Sequence, residues 1–245
     1  MLTWRDLKAR YKQSIMGFLW AILMPLLIVA GGVVVRVAFS MNSATHLNLT
    51  DISSIALKSL AWAFFVGAIK FGTASMTSNP NLVTKIYFPR EVFPLAAVLT
   101  SLFDTAIASS VIVILLVVGR VGVSIYLLWA PLIVILIILF TTALAVLLSC
   151  ANLFFRDVKY LVDVGLTFGI FFTPVFYDAR MLGKWEPLLL VNPFSSLLEA
   201  LNNTVVLHKA PALPWLGYAA CCAVLGFAVA WIIFDRAESS FAEKI

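Results

Sequence analysis

The chain has 245 residues, 62% hydrophobic and only 12% charged, with a formal net charge of +5 and a mean hydropathy of +1.04. So little polar surface excludes a water-soluble globule and makes lipid the natural solvent. The pI of about 9.2 would suggest nucleic acid in a soluble protein, but here the basic residues sit in short segments between apolar runs; topology explains them, and no nucleic-acid partner is expected.

Apolar runs of roughly 20 residues, the length that crosses a hydrocarbon core, recur along nearly the whole chain, so one continuous bundle over 1–245 is expected, all-α and built from transmembrane helices. Residues 1–15 place Trp4, Leu7, Tyr11 and Ile15 at helical spacing, with Arg5, Lys8 and Lys12 mostly elsewhere around the wheel. This predicts an N-terminal interfacial amphipathic helix. The chain opens without the charged region, short apolar run and small-residue cleavage site of a secretory signal, and none is expected.

The first span is predicted over 17–39, interrupted by Pro25 and the pair Gly31 and Gly32, with Arg36 near enough to its far end to snorkel. The second, over 52–75, carries Lys58 and Lys70 near opposite ends, where long side chains reach headgroups. The loop 77–93 follows, with Pro80, Lys85, Pro89, Arg90 and Glu91. The third span, 94–118, holds Asp104, with Ser101, Thr105 and Ser109 spaced to share its side and turn it into the bundle. An intramembrane acid is a functional candidate by default; the plainer reading is that hydroxyls or a neighbouring base satisfy it.

The fourth span is expected over 124–150 and a compact fifth over 160–177, where Gly165 and Gly169 permit close helix approach. Phe168, Phe171, Phe172, Phe176 and Tyr177 crowd this fifth span, and Phe18 and Trp20 open the first. Two readings stand for them: a sugar-stacking lining to a conduit, or lipid contacts and interface anchors. In 178–212, residues 188–191 are too few to span, Asn192 and Pro193 break the run, and 194–207 carries Glu199, Asn202 and Asn203. Two short re-entrant helices fit best, because irregular backbone at depth needs shelter. A sixth span over 213–234 precedes a charged tail.

Six spans put both termini on one side. Counting Lys and Arg gives eleven on that side (Arg5, Lys8, Arg10, Lys12, Lys70, Lys85, Arg90, Arg156, Lys159, Arg236, Lys244) against six opposite (Arg36, Lys58, Arg120, Arg180, Lys184, Lys209). The surplus assigns the termini and loops 77–93 and 155–163 to the cytoplasm.

No Gly-rich turn ending in Lys and Ser or Thr is present, so the chain is not expected to hold ATP phosphates itself. His46 and His208 are single residues in separate segments, and Cys150, Cys221 and Cys222 lack metal-ligand spacing; no metal site, cofactor or catalytic group is expected. Asp157, Asp163 and Glu91 lie beside Arg156, Lys159 and Arg90, which suits loop ion pairs better than catalysis.

Five stretches in order carry a resemblance: Arg5-Asp6-Leu7-Lys8-Ala9-Arg10-Tyr11-Lys12-Gln13-Ser14 with Gly17-Phe18-Leu19-Trp20 and Pro25-Leu26; Lys85-Ile86-Tyr87-Phe88-Pro89-Arg90-Glu91-Val92-Phe93-Pro94; Asn152-Leu153-Phe154-Phe155-Arg156-Asp157-Val158; Thr173-Pro174-Val175-Phe176-Tyr177; and Asn192-Pro193-Phe194. Together they resemble the membrane subunits of type-two ABC exporters of polysaccharides, the O-antigen and teichoic acid group, over essentially the full chain. The resemblance implies an exporter of lipid-linked polysaccharide in a bacterial inner membrane. Two copies would form the pathway above a dimer of a separate ATPase, which carries ATP and Mg²⁺.

It also implies that loop 77–93 holds a coupling helix, with Leu82, Lys85, Ile86, Tyr87, Phe88, Arg90 and Glu91 facing the ATPase, and that Pro80, Pro89 and Pro94 stiffen its ends. The polymer's lipid would enter near the first and fifth spans. O-antigen ranks first; teichoic acid or capsular polysaccharide is the alternative, and an ion-coupled carrier or membrane glycan enzyme the more distant one.

Overall fold

A computed structural model describes residues 19–43, 48–78, 89–118, 121–238 and 241. The elements are α1 (Leu19–Ser43), α2 (Leu49–Ala74), α3 (Val92–Val118), a 3₁₀ turn (Ile125–Trp129) running into α4 (Ala130–Phe154), α5 (Val158–Gly169), a second 3₁₀ segment (Ala179–Trp185), α6 (Glu186–Leu190), α7 (Pro193–Val205) and α8 (Leu213–Glu238). Among the described residues there is no strand. The predicted interfacial helix over 1–15 and the centre of the 77–93 loop lie outside the described residues.

Among the described residues four helices are long and apolar enough to cross a membrane: Leu49–Ala74, Val92–Val117, Ile125–Phe154 and Leu213–Glu238. They coincide with the second, third, fourth and last predicted spans. α1 has 25 residues around the apolar stretch Leu26–Val37; at about 1.5 Å per residue it exceeds the roughly 30 Å of hydrocarbon.

The fifth expected span differs. α5 closes at Gly169 after 12 residues, about 18 Å of helix, and 170–177 continue as turns in which the Phe171 and Phe172 amides donate to the Phe168 and Gly169 carbonyls. Pro174 explains the ending: it has no N–H to give the Ile170 carbonyl, its ring clashes there, and Thr173 before it is pushed out of helical geometry.

α2 is the axis of the bundle, packing against α1, α3, α4, α5 and α7, while α8 lies along α4. α7 is wedged inside: every residue from Phe194 to Thr204 is buried. Asn192 accepts the Phe194 amide at 3.1 Å and Pro193 fills the first helical position, so the Asn-Pro-Phe stretch is a helix start. The Phe194 ring then sits 4.2 Å from Phe65 and 5.9 Å from Trp62, anchoring α7 on α2.

Several buried threonine hydroxyls are satisfied within their own helices. Thr73, Thr100, Thr141 and Thr142 each donate to the carbonyl four residues earlier at 2.7 Å, as befits a chain with no water at that depth to hydrogen-bond. Glycine supplies close packing selectively. A Cβ at Gly169 would stand 3.3 Å from Trp62, whereas Gly165 has nothing within 4 Å and borders an apolar groove walled by Phe65, Ile69, Leu144 and Leu148. Gly169 alone of the pair makes the expected close approach.

Candidate functional site

Among the described residues, the largest concentration of buried charge lies where α1, α2, the segment after α5, and α7 converge. Lys58 is 1% exposed, and its Nζ donates to the Tyr177 carbonyl at 2.7 Å, Asp178 Oδ1 at 2.9 Å and Glu199 Oε1 at 3.2 Å. An ammonium has three protons, and all three are used. Arg36 pairs with Asp51 at 3.2 Å and approaches Asp178 at 3.9 Å, its other arm donating to Met181 Sδ. Glu199 Oε1 also accepts the Ala179 amide at 3.2 Å.

Local structure puts each group there. Asp51 lies in the first turn of α2, where it accepts the Asn48 amide and complements the helix dipole. Glu199 is one turn from Ser195 on α7, held rigidly by the burial of that helix. Asp178 follows the turns that Pro174 imposes. Burial alone would raise the Asp178 carboxyl, but Lys58 beside it, with Arg36 and Arg180 near, holds it below the ordinary carboxylate range. A small crevice opens beside the cluster, lined by Arg36, Asp51, Ser54, Lys58, Phe176, Tyr177 and Asp178.

Neither Lys58 nor Arg36 reaches for headgroups as expected; both turn inward. The reason is energetic: Asp178 and Glu199 need a cation in a sheltered place, and an isolated buried carboxylate is far costlier than a paired one. Lys70 pairs with Asp163 on α5 at 3.0 Å, both partly exposed.

At the opposite ends of α2 and α4, Asn152 forms a second polar knot. Its Nδ2 donates to the Thr73 carbonyl at 3.0 Å and Thr77 Oγ1 at 3.2 Å, and its Oδ1 accepts the Lys159 amide at 3.2 Å. One buried amide therefore joins the ends of α2 and α4 to the start of α5. Asn152→Leu is expected to lower stability by about 2 kcal/mol, because the Lys159 amide loses its side-chain acceptor and the Thr73 carbonyl its side-chain donor; thermal unfolding of the purified chain measures it, and an unchanged midpoint would refute the assigned role.

Of the residues proposed for coupling, Leu82, Lys85, Ile86, Tyr87 and Phe88 lie outside the described residues. Arg90 donates to the Glu238 carbonyl at 2.6 Å and lies 5.8 Å from the centre of the Phe241 ring, capping the C-terminus of α8. Glu91 is half-buried at the entry to α3. Asp104 is also half-buried, with Ser101 buried on α3 and 3.5 Å from the position a Gly67 Cβ would take on α2; Thr105 and Ser109 donate to their own helix backbone.

The aromatic candidates divide. Phe168, Phe171 and Phe172 are 59%, 67% and 71% exposed and continue a strip with Tyr160, Leu161 and Val164. Phe176 instead packs against the core, within 2.6 Å of where a Gly32 Cβ would sit, and Tyr177 donates its hydroxyl to the Phe171 carbonyl at 2.9 Å. Phe18 lies outside the described residues, and of Trp20 only the backbone, in the first turn of α1, is described.

The Thr-Pro and Asn-Pro stretches, 19 residues apart, meet: Asn192 Nδ2 donates to Thr173 Oγ1 at 3.4 Å. Among the described residues no group of three or more His, Cys, Asp or Glu could hold a metal ion.

Comparison with known proteins adds an independent line. Residues 1–206 match the family described as ABC-2 type transporter. Over 249 residues, all of this chain and 94% of the relative, 30% of positions are identical to the O-antigen export system permease protein RfbA of Myxococcus xanthus. The protein of that name from Klebsiella pneumoniae is 27% identical over 251 residues, 99% of this chain and 93% of its own length.

Proposed function

Since this chain belongs to the ABC-2 type transporter family and is thus a transporter's membrane subunit and not an enzyme, we propose that it exports a lipid-linked polysaccharide of the O-antigen type across a bacterial inner membrane. The observation that carries this is the similarity, over nearly the full length of both chains, to O-antigen export permeases. Nothing in the charge cluster or the polar knots favours a teichoic acid or capsular cargo, and membership of the family sets the carrier and enzyme readings aside.

In this reading two copies form the conduit, and a separate ATPase dimer binds ATP and Mg²⁺ on the cytoplasmic side, where both termini also lie. The chain crosses six times, through α1, α2, α3, α4, α5 with the turns that extend it, and α8; α6 and α7 dip in from the outer side and return. Loop 77–93 engages the ATPase. The exposed aromatic strip of Phe168, Phe171 and Phe172 is the part of α5 best suited to pyranose faces, because it is left uncovered by the chain itself. Asp104 keeps a polar face on α3 turned toward α2.

The test is genetic and biochemical. Deleting the gene should make a lipid-linked glycan accumulate inside the cell and disappear from the surface, and the intact gene should reverse both; normal surface glycan after deletion removes the export reading. Replacing 85–91 with a Gly/Ser linker should cut the turnover of the copurified ATPase, and unchanged turnover would remove the loop from the coupling role.

A further inference from the structure

The contact geometry around Lys58 is more specific than adhesion requires. Its three protons go to three acceptors on two separate pieces of chain: the Tyr177 carbonyl and Asp178 carboxylate after α5, and the Glu199 carboxylate on α7. Glu199 in turn holds the Ala179 amide, so residues 177–179 are gripped twice, once by Lys58 directly and once through the carboxylate that Lys58 orients. Apolar side chains of the same volume would hold such a junction at least as firmly, since desolvating the charges offsets most of their attraction. What an ion pair adds is a fixed register between the pieces it joins.

The placement gives that register a direction. Lys58 lies in the half of α2 that begins at Leu49, and the other end of the same helix, at Ala74, leads through 75–78 into the loop assigned above to the ATPase. α2 is helical without interruption between the two, so it moves as a rod. Arg36 and Asp51 bring α1 and the start of α2 into the same network.

We propose that Lys58 is a positioning residue for export: it fastens residues 177–179 and α7 to α2, so that displacement of α2 by the ATPase is delivered to α7, one of the two helices read above as dipping in from the outer side. The proposal rests on the export reading. Lys58 acts through Glu199 and Asp178.

The decisive measurement is glycan exported per ATP hydrolysed, in proteoliposomes holding the full transporter with its ATPase. Lys58→Met combined with Glu199→Gln removes one charge of each sign and leaves an acceptor for the Ala179 amide, so the fold should survive. Its export per ATP is expected to fall about tenfold, the size of an ordinary inter-site coupling, with faster amide exchange across 177–179, while Lys58→Arg recovers most of the ratio. An unchanged ratio in the double variant overturns the proposal, as does a loss of export and hydrolysis together in proportion to lost folded protein.

Glu199→Gln alone, which keeps the Lys58–Asp178 pair, provides a milder variant. A fall of about threefold is expected, and no change again overturns the proposal. Failure of the underlying reading looks different: the unmodified transporter would then show neither a bound ATPase nor export.

Discussion

Lys58→Met on its own is expected to lower the stability of the chain by about 3–5 kcal/mol, the range found when one member of a buried ion pair is removed. Met matches the length of the stem, so the loss is electrostatic. The Glu199 carboxylate is left at 10% side-chain exposure and Asp178 at 31%, each without the ammonium that lay within 3.2 Å. Arg36 at 3.9 Å compensates Asp178 in part, which places most of the damage at Glu199. Adding Glu199→Gln should therefore recover much of the loss, a non-additivity of at least about 1 kcal/mol in a double-mutant cycle read from thermal unfolding. Strict additivity would mean that the two side chains are adjacent without being coupled.

That coupling was invisible in the sequence for a definite reason. A run of apolar residues reports how deep a charge lies along its own helix, and on that basis Lys58 and Arg36 looked like side chains reaching for headgroups. It does not report what lies across the interface, and the partners of Lys58 are 120 and 141 residues away. Glu199 was legible only as an acid in the apolar stretch 194–207, read as a re-entrant helix. Features set by local chemistry were easier to read. The extents of α2, α3, α4 and α8 followed from unbroken apolar runs, and the break at Asn192 and Pro193 is where α7 starts.

Pro174 shows the intermediate case. It stood in plain view within a run that otherwise reads as a span, and the apolar count of 160–177 outweighed it. Backbone chemistry won: a helix cannot pass a proline without losing a hydrogen bond, and the resulting turns deliver Asp178 to Lys58. The motifs that carried the family resemblance likewise acquire physical roles only in three dimensions. Asn152 joins three helix ends, Asn192 caps α7 and reaches Thr173, and Arg90 caps α8. Each of these residues satisfies backbone groups at a helix end, a place where unpaired donors and acceptors are costly in lipid.

Gly72→Leu should be nearly as damaging as the loss of Lys58, by a different route. A Cβ at Gly72 would lie 2.8 Å from the Cβ of Ala145 and 3.5 Å from its Cα. Ala145 is fully buried on α4 and its Cβ cannot rotate away, so the two helices must separate. In lipid little hydrophobic force returns them, because acyl chains are as apolar as the side chains they replace; contact between helices rests on close approach of backbones at small residues. The expected cost is about 3 kcal/mol, the upper part of the range for overpacking.

Gly31→Leu and Gly165→Leu serve as comparisons, since neither position has an atom within 4 Å of the added Cβ; both should change stability by less than about 1 kcal/mol, with some helix propensity gained. If all three substitutions shift the unfolding midpoint alike, glycine content and not the spacing of α2 and α4 governs the packing. If only Gly72→Leu does, the separation of those helices is the quantity under constraint, and it sets the position of the helix that carries Lys58.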